Sequence, residues 1–101
     1  MKLMTKALEQ EFQKYPLYSQ DGKGFEAHVV VKFFNPIGAG TWLITEGEKE
    51  ENDWLLFGYC HITDWEWGYV RLSELESISL PFGATIERDL YTSGKSVKDF
   101  L

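Results

Sequence analysis

Apolar side chains recur along this chain with two periods, and the switches between them mark its elements. Leu8, Phe12 and Tyr15 fall at i, i+4 and i+7, one face of an α-helix. Thr5 stands at the N-cap, where its hydroxyl can accept a backbone N–H that the first turn leaves unpaired. Glu9 near the start and Lys14 near the end both suit the helix dipole. Pro16 stops the helix and pushes Tyr15 out of helical backbone. Residues 17–24 read as a loop, with Asp21-Gly22 and Lys23-Gly24 as turn chemistry.

Over 26–34 the period becomes two. Ala27, Val29, Val31 and Phe33 make one apolar face, with His28 and Lys32 on the other beside Val30 and Phe34. Asn35-Pro36 and Gly38-Ala39-Gly40 turn the chain into a second strand over 41–45, close enough to pair as a hairpin. An acidic loop is expected over 46–53. Residues 54–62 are apolar on both faces apart from His61, as in a central strand covered on both sides. A turn over 63–66 leads to a fourth strand over 67–72. Ser73-Glu74-Leu75-Glu76 has the capping-box pattern, with Ser73 and Glu76 serving each other's N–H groups, and predicts a short helix near 74–79 that ends before Pro81. Residues 85–90 fit a fifth strand or a helical turn. Residues 96–101 fit a last turn in a tail that frays from about 93. The order predicts an α+β fold: an antiparallel meander of four to five strands with an N-terminal helix and a short later helix packed on it.

Length keeps this to one domain over 1–101. With 44% hydrophobic and 16% aromatic residues, four of them Trp, the chain can build a core without disulfides or a metal. The single cysteine, Cys60, allows no internal disulfide, and small secreted domains more often carry several. Met1-Lys2-Leu3-Met4-Thr5 leads into charged residues without the apolar core of a signal peptide, and no apolar run approaches the ~20 residues of a membrane span. A cytoplasmic protein without membrane contact is the expectation. The net charge of −6, from 16 acids and 10 bases, argues against a phosphate-backbone partner, so nucleic acid is not expected.

Candidate chemistry thins out on inspection. Gly94-Lys95-Ser96 matches the end of a P-loop, but the position that needs the first glycine is Asp89, and too few residues follow for the supporting helix. Cys60 and His61 are adjacent in a strand and point to opposite faces, so they do not easily share one ion; a pairing of His28 with Cys60 across the sheet stays open. Glu46, Glu48, Glu50, Glu51 and Asp53 crowd one segment without the spacing of a calcium loop, and a solvated loop is the default. No catalytic residue, metal site or cofactor is expected.

Asp64-Trp65-Glu66-Trp67 is the most unusual local feature. Two tryptophans two apart on a strand point the same way, flanked by acids. Facing inward they are core, which is the stronger reading. Facing outward they resemble an interface anchor, since Trp is enriched at binding hot spots. A second group, Lys32, Arg71 and the run Glu87-Arg88-Asp89, carries mixed charge suited to an anionic metabolite or to acid–base chemistry, provided the side chains converge in a pocket.

Several blocks together resemble the bacterial family called domain of unknown function 2958. They are Pro16-Leu17-Tyr18-Ser19-Gln20 with Gly22-Lys23-Gly24, Val31-Lys32-Phe33-Phe34-Asn35-Pro36, Thr45-Glu46-Gly47-Glu48 and Phe57-Gly58-Tyr59. Gly68-Tyr69-Val70-Arg71-Leu72-Ser73-Glu74-Leu75 and Ile86-Glu87-Arg88-Asp89-Leu90-Tyr91 complete the set. The resemblance implies a small bacterial protein, in a family often associated with plasmids and other mobile elements, and implies no reaction. Polar residues inside the blocks, Tyr18, Lys23, Lys32, Glu46, Arg71, Glu87, Arg88 and Asp89, are where a site is to be sought. The leading expectation is a non-enzymatic module presenting an aromatic–acidic surface to a protein partner. The alternatives are a small-molecule domain or minor enzyme at the mixed-charge group, and an acidic mimic of DNA.

Overall fold

Five strands form one antiparallel sheet in a computed structural model that describes residues 2–89, 92 and 94–101. Helix α1, Lys6–Lys14, comes first, followed by a 3-10 turn at Gly24–Glu26. Strands β1 (Val31–Phe34), β2 (Thr41–Glu50), β3 (Asp53–His61) and β4 (Trp65–Arg71) then run as a meander. Helix α2, Leu72–Ser77, follows directly, and the two-residue strand β5, Glu87–Arg88, returns to pair with β1. The spatial order is β4-β3-β2-β1-β5, so β4 is an outer strand, and among the described residues no strand pairs with its free edge. This is the α+β architecture that the pattern predicts. No helix of the described residues is long and apolar enough to cross a membrane.

The two faces of the sheet are covered differently. On one lie both helices, and Phe12, Val31, Phe33, Ile44, Leu56, Leu72 and Leu75 make the main core, each worth about 1.5–3 kcal/mol when fully buried. Thr5 caps α1 as expected, its Oγ1 accepting the Leu8 N–H at 3.2 Å. The other face carries no helix longer than a 3-10 turn among the described residues and is covered over part of its area. Gly24–Glu26 and Val97–Phe100 cover a small cluster of Ala27, Val29, Leu43 and Val97, against which Tyr59, Trp65 and Phe100 pack. The loop of residues 16–24 lies over Glu46 on the same face, and Trp67 and Tyr69 beside it stay exposed.

One irregularity in β2 decides what this second face presents. Ile44 pairs with Gly58, yet Glu46 pairs with Phe57, so Thr45 is an extra residue in a β-bulge. Strict alternation from Leu43 would send residue 46 to the helix side. The bulge reverses the parity, so Glu46 joins Phe57 on the open face while Gly47 turns under α1. A side chain at Gly47 would meet Leu56 at 2.8 Å and Phe12 at 3.0 Å. At Gly58 the approach is closer still: a Cβ would overlap the Leu43 carbonyl oxygen and lie 2.8 Å from the Ile44 Cα.

Several local expectations need correction. The first strand begins at Val31, not at 26, because Gly24–Glu26 is a 3-10 turn and residues 27–29 bridge to 95–97 instead. Val29 therefore packs on the open side while Val31 and Phe33 pack under the helices. The acidic segment expected as a loop over 46–53 is mostly strand, and the reversal falls at Glu51 with φ 55. The turn before β4 ends earlier, with Trp65 already paired to His61.

The capping pattern on α2 also differs. Arg71 is the N-cap and its N–H goes to Glu74 at 2.9 Å. Ser73 lies inside the first turn and binds Asp53 through its N–H at 3.1 Å and its hydroxyl at 2.6 Å. For the C-terminal segment, the sequence leads to a tail fraying from about 93; the described residues there include the 3-10 turn with Val97 fully buried. Leu90, which closes the expected fifth strand, Tyr91, which closes the last family block, and Ser93 lie outside the described residues.

Candidate functional site

The open face of β3 and β4 carries a continuous row of rings. Phe57, Tyr59 and His61 alternate along β3, and Tyr69, Trp67 and Trp65 stand directly opposite them on β4. Directly opposite side chains on one face come within contact distance, so the sheet register alone builds the row. The rings touch in sequence: His61 to Trp65 at 5.1 Å, Trp65 to Tyr59 at 5.0 Å, Tyr59 to Trp67 at 4.9 Å, Trp67 to Phe57 at 5.7 Å and Phe57 to Tyr69 at 4.8 Å. Phe25, on the 3-10 turn, leans on Tyr59 at 5.1 Å and lies nearly parallel to Trp67 at 6.4 Å. Packing is substantial but cover is not: Trp67 is 38% exposed, Phe25 46% and Tyr69 53%.

Beside this row the loop of residues 16–24 is pinned to the sheet by a buried polar network. Glu46 is only 3% exposed. One of its oxygens accepts the Tyr18 N–H at 2.7 Å and the other the Gln20 N–H at 2.8 Å. These two bonds hold Tyr18 in left-handed backbone, φ 73. Gln20 spends its side chain entirely on backbone. Its Oε1 accepts the His28 N–H at 2.7 Å, and its Nε2 donates to the His28 carbonyl at 2.8 Å and to the bulge carbonyl of Thr45 at 2.7 Å. The bulge is therefore satisfied by the loop that its own displaced neighbour, Glu46, anchors.

Between loop and sheet lies an open cavity of about 350 Å³ whose lining includes Gln20, Asp21, Thr45, Glu46, Phe57 and Trp67. Two carboxylates, Asp21 and Glu46, are among its lining. The Tyr69 phenol is held above its ordinary value, first by hydrogen bonding with the Tyr18 side chain, and also by the nearby charges of Glu46 and Asp21.

The sequence-derived candidates fall in three places. Trp65 and Trp67 share the open face, Trp65 half-buried against the small cluster and Trp67 in the middle of the row. Asp64 is exposed at the turn before them. Glu66 is on the opposite face, across from Cys60, so it does not rim the tryptophans. Lys32 and Asp89 meet at 3.8 Å beside the Phe34 and Phe100 rings, while Arg88 donates to the carbonyls of Lys2 at 2.7 Å and Leu3 at 3.1 Å on the helix side. Glu87 pairs with Phe34 at the same edge. Arg71, on β4, lies three strands from Lys32 and four from Arg88, is bonded to Glu50 at 2.7 Å, and is not brought together with Lys32, Arg88 or Asp89.

Nor do Cys60 and His28 meet. Cys60 stands between Trp42 and Glu66 with burial, and then the Glu66 charge, pushing its thiol up to about 12, whereas His28 stacks on Tyr15 at 4.9 Å. Among the described residues no group of three His, Cys, Asp or Glu side chains is placed to hold a metal ion.

Residues 3–98 match the family described as protein of unknown function DUF2958. The chain belongs to the DUF2958 family. No curated protein and no solved structure matches it. In this DUF2958 protein the resemblance blocks that hold Tyr18, Gln20, Glu46, Phe57, Tyr59 and Tyr69 converge on one place, the loop-and-ring site. Gln20 and the β3 rings were legible only as turn chemistry and central-strand core. The available signal was the spacing Phe57-x-Tyr59-x-His61 against Trp65-x-Trp67-x-Tyr69, two ring triplets that a short turn sets face to face.

Proposed function

We propose that this protein is a non-enzymatic binding module that holds a protein partner on the ring-bearing face of β3 and β4. The observation that carries the reading is the half-exposed row from Trp65 to Tyr69, with Trp67 at its centre packed yet open to water. Rings already stacked on one another lose little rotamer freedom on binding, and buried Trp and Tyr dominate the energy of protein interfaces. The groups otherwise suited to covalent chemistry sit in quiet surroundings: the Cys60 thiol is pushed up by burial and both histidines lie against aromatic rings. In this reading the partner is a protein of the cytoplasm; the family resemblance adds a bacterial host and a mobile-element setting.

The test is affinity capture from host extract with wild type, Trp67→Ala and a variant on the helix side, Glu76→Ala, each first shown to be folded. A partner held by wild type and Glu76→Ala and lost by Trp67→Ala supports the reading. A partner retained by Trp67→Ala overturns it.

A further inference from the structure

The cavity beside Trp67 has a chemistry of its own. Its walls are aromatic, with the Phe57 and Trp67 rings nearly parallel at 13°, and its charged lining is Glu46 and Asp21, with no Lys or Arg. Lys23, in the same loop, is exposed and does not line it. Glu46 is buried, yet among the described residues no cationic side chain pairs with it; the four ion pairs there are Lys14–Glu11, Lys32–Asp89, Arg71–Glu50 and Lys98–Glu26. A carboxylate offers about four lone-pair sites, and the Tyr18 and Gln20 N–H groups occupy two of them. Gln20 cannot turn a donor toward the cavity, because both hydrogens of its amide are already given to carbonyls. Acceptors and π-faces without a free side-chain donor suit a cation, and the volume is at the small end for ligand pockets, fitting a side chain more than a large metabolite.

We infer that this cavity receives an arginine side chain of the bound protein, its guanidinium stacked on Trp67 and Phe57 and bonded to Glu46 and Asp21. Guanidinium is the cation that matches both features, being planar for stacking and forked for carboxylates. The source is a polypeptide, because the rest of the ring row, Tyr59, Trp65, Tyr69 and Phe25, continues outward from the cavity as a surface for the flanking chain. The inference rests on the binding-module reading and names the residue at its centre.

The test uses acetyl-Gly-Arg-Gly-amide, the same peptide with citrulline in place of Arg, and free arginine, titrated into the labelled protein. The readout is the Trp67 indole N–H resonance, assigned by its loss in Trp67→Phe. The Arg peptide is expected to shift it saturably and the uncharged citrulline peptide to bind at least about tenfold more weakly. Asp21→Asn, whose side chain supports no described hydrogen bond, is expected to weaken the Arg peptide about three- to tenfold without loss of fold. Equal response to citrulline, no saturable shift, or no effect of Asp21→Asn each overturns the arginine assignment. Free arginine binding as tightly as the peptide overturns the polypeptide source. Loss of the captured partner in Trp67→Ala alongside any of these results leaves the binding face standing and removes only the cation.

Discussion

The Glu46 carboxylate accepts the backbone N–H of Gln20 at 2.8 Å across 26 positions of chain, from a side chain that a one-residue bulge has turned to the open face. Two charge-assisted bonds in a buried place hold the loop that walls the cavity. Replacing Glu46 by Ala leaves the Tyr18 and Gln20 N–H groups without acceptors, and urea unfolding is expected to show a loss of about 2–4 kcal/mol. Hydrogen exchange at those two amides should accelerate more than elsewhere. A loss under about 1 kcal/mol, with unchanged exchange, contradicts the anchoring role.

Gly58 and Gly68 are paired across β3 and β4, yet their tolerance should differ sharply. A methyl group at Gly58 overlaps the Leu43 carbonyl oxygen, whereas one at Gly68 meets nothing within 4 Å. Gly58→Ala is expected to cost about 3 kcal/mol or more, or to prevent folding, and Gly68→Ala to stay within about 1 kcal/mol of wild type. Thermal melts of the two variants side by side check this.

Cys60 should be slow to react. With its thiol pushed up to about 12 by burial and by Glu66, its thiolate fraction near neutral pH is about a thousandfold below that of a free cysteine. Alkylation at pH 8 is expected to be correspondingly slow in the folded protein and ordinary in denaturant. The raised value also fixes a sign for stability. The folded state keeps a proton that the unfolded chain releases, so this contribution is intact below the ordinary thiol value and is lost as pH rises toward 12.

Asp53 ties the start of β3 to α2 and should make the helix acid-sensitive. Its carboxyl is held below the usual range, first by the Ser73 hydroxyl and next by the Trp54 N–H. Such a group stabilises the fold above the ordinary carboxylate value and stops doing so as pH falls through its lowered folded value. Asp53→Asn is expected to lower Tm at pH 7, and the difference from wild type should close in acid, below about pH 4. A difference independent of pH would mean that packing, not charge, holds this corner.

The elements were legible where period and punctuation agreed: Thr5 with Leu8, Phe12 and Tyr15 specifies α1, and the alternating Val31–Phe34 stretch with its glycine turn specifies the first hairpin. The site was legible only in pieces. Trp65 and Trp67 stood out, but Phe57 and Tyr59 were hidden in a run apolar on both faces, where period cannot say which face is covered. Glu46 looked solvated among four other acids, because a bulge leaves no mark on composition and reverses a side chain through one unpaired residue. Lys32 and Arg71 suggested a common pocket, which strand order forbids, and strand order is set by long-range pairing.

The free edge of β4 gives the acidic excess a meaning that partner chemistry does not. An outer strand with rings on its face, and with no strand paired to its outer side among the described residues, is a template on which a second chain can add. Two copies meeting there would gain hydrogen bonds and stacked rings together. Mutual repulsion from a net charge of −6 stands against that encounter at neutral pH. The scattered carboxylates would then serve as a colloidal guard, and acid or concentrated salt, by removing the repulsion, is expected to turn the same edge into a seed for precipitation.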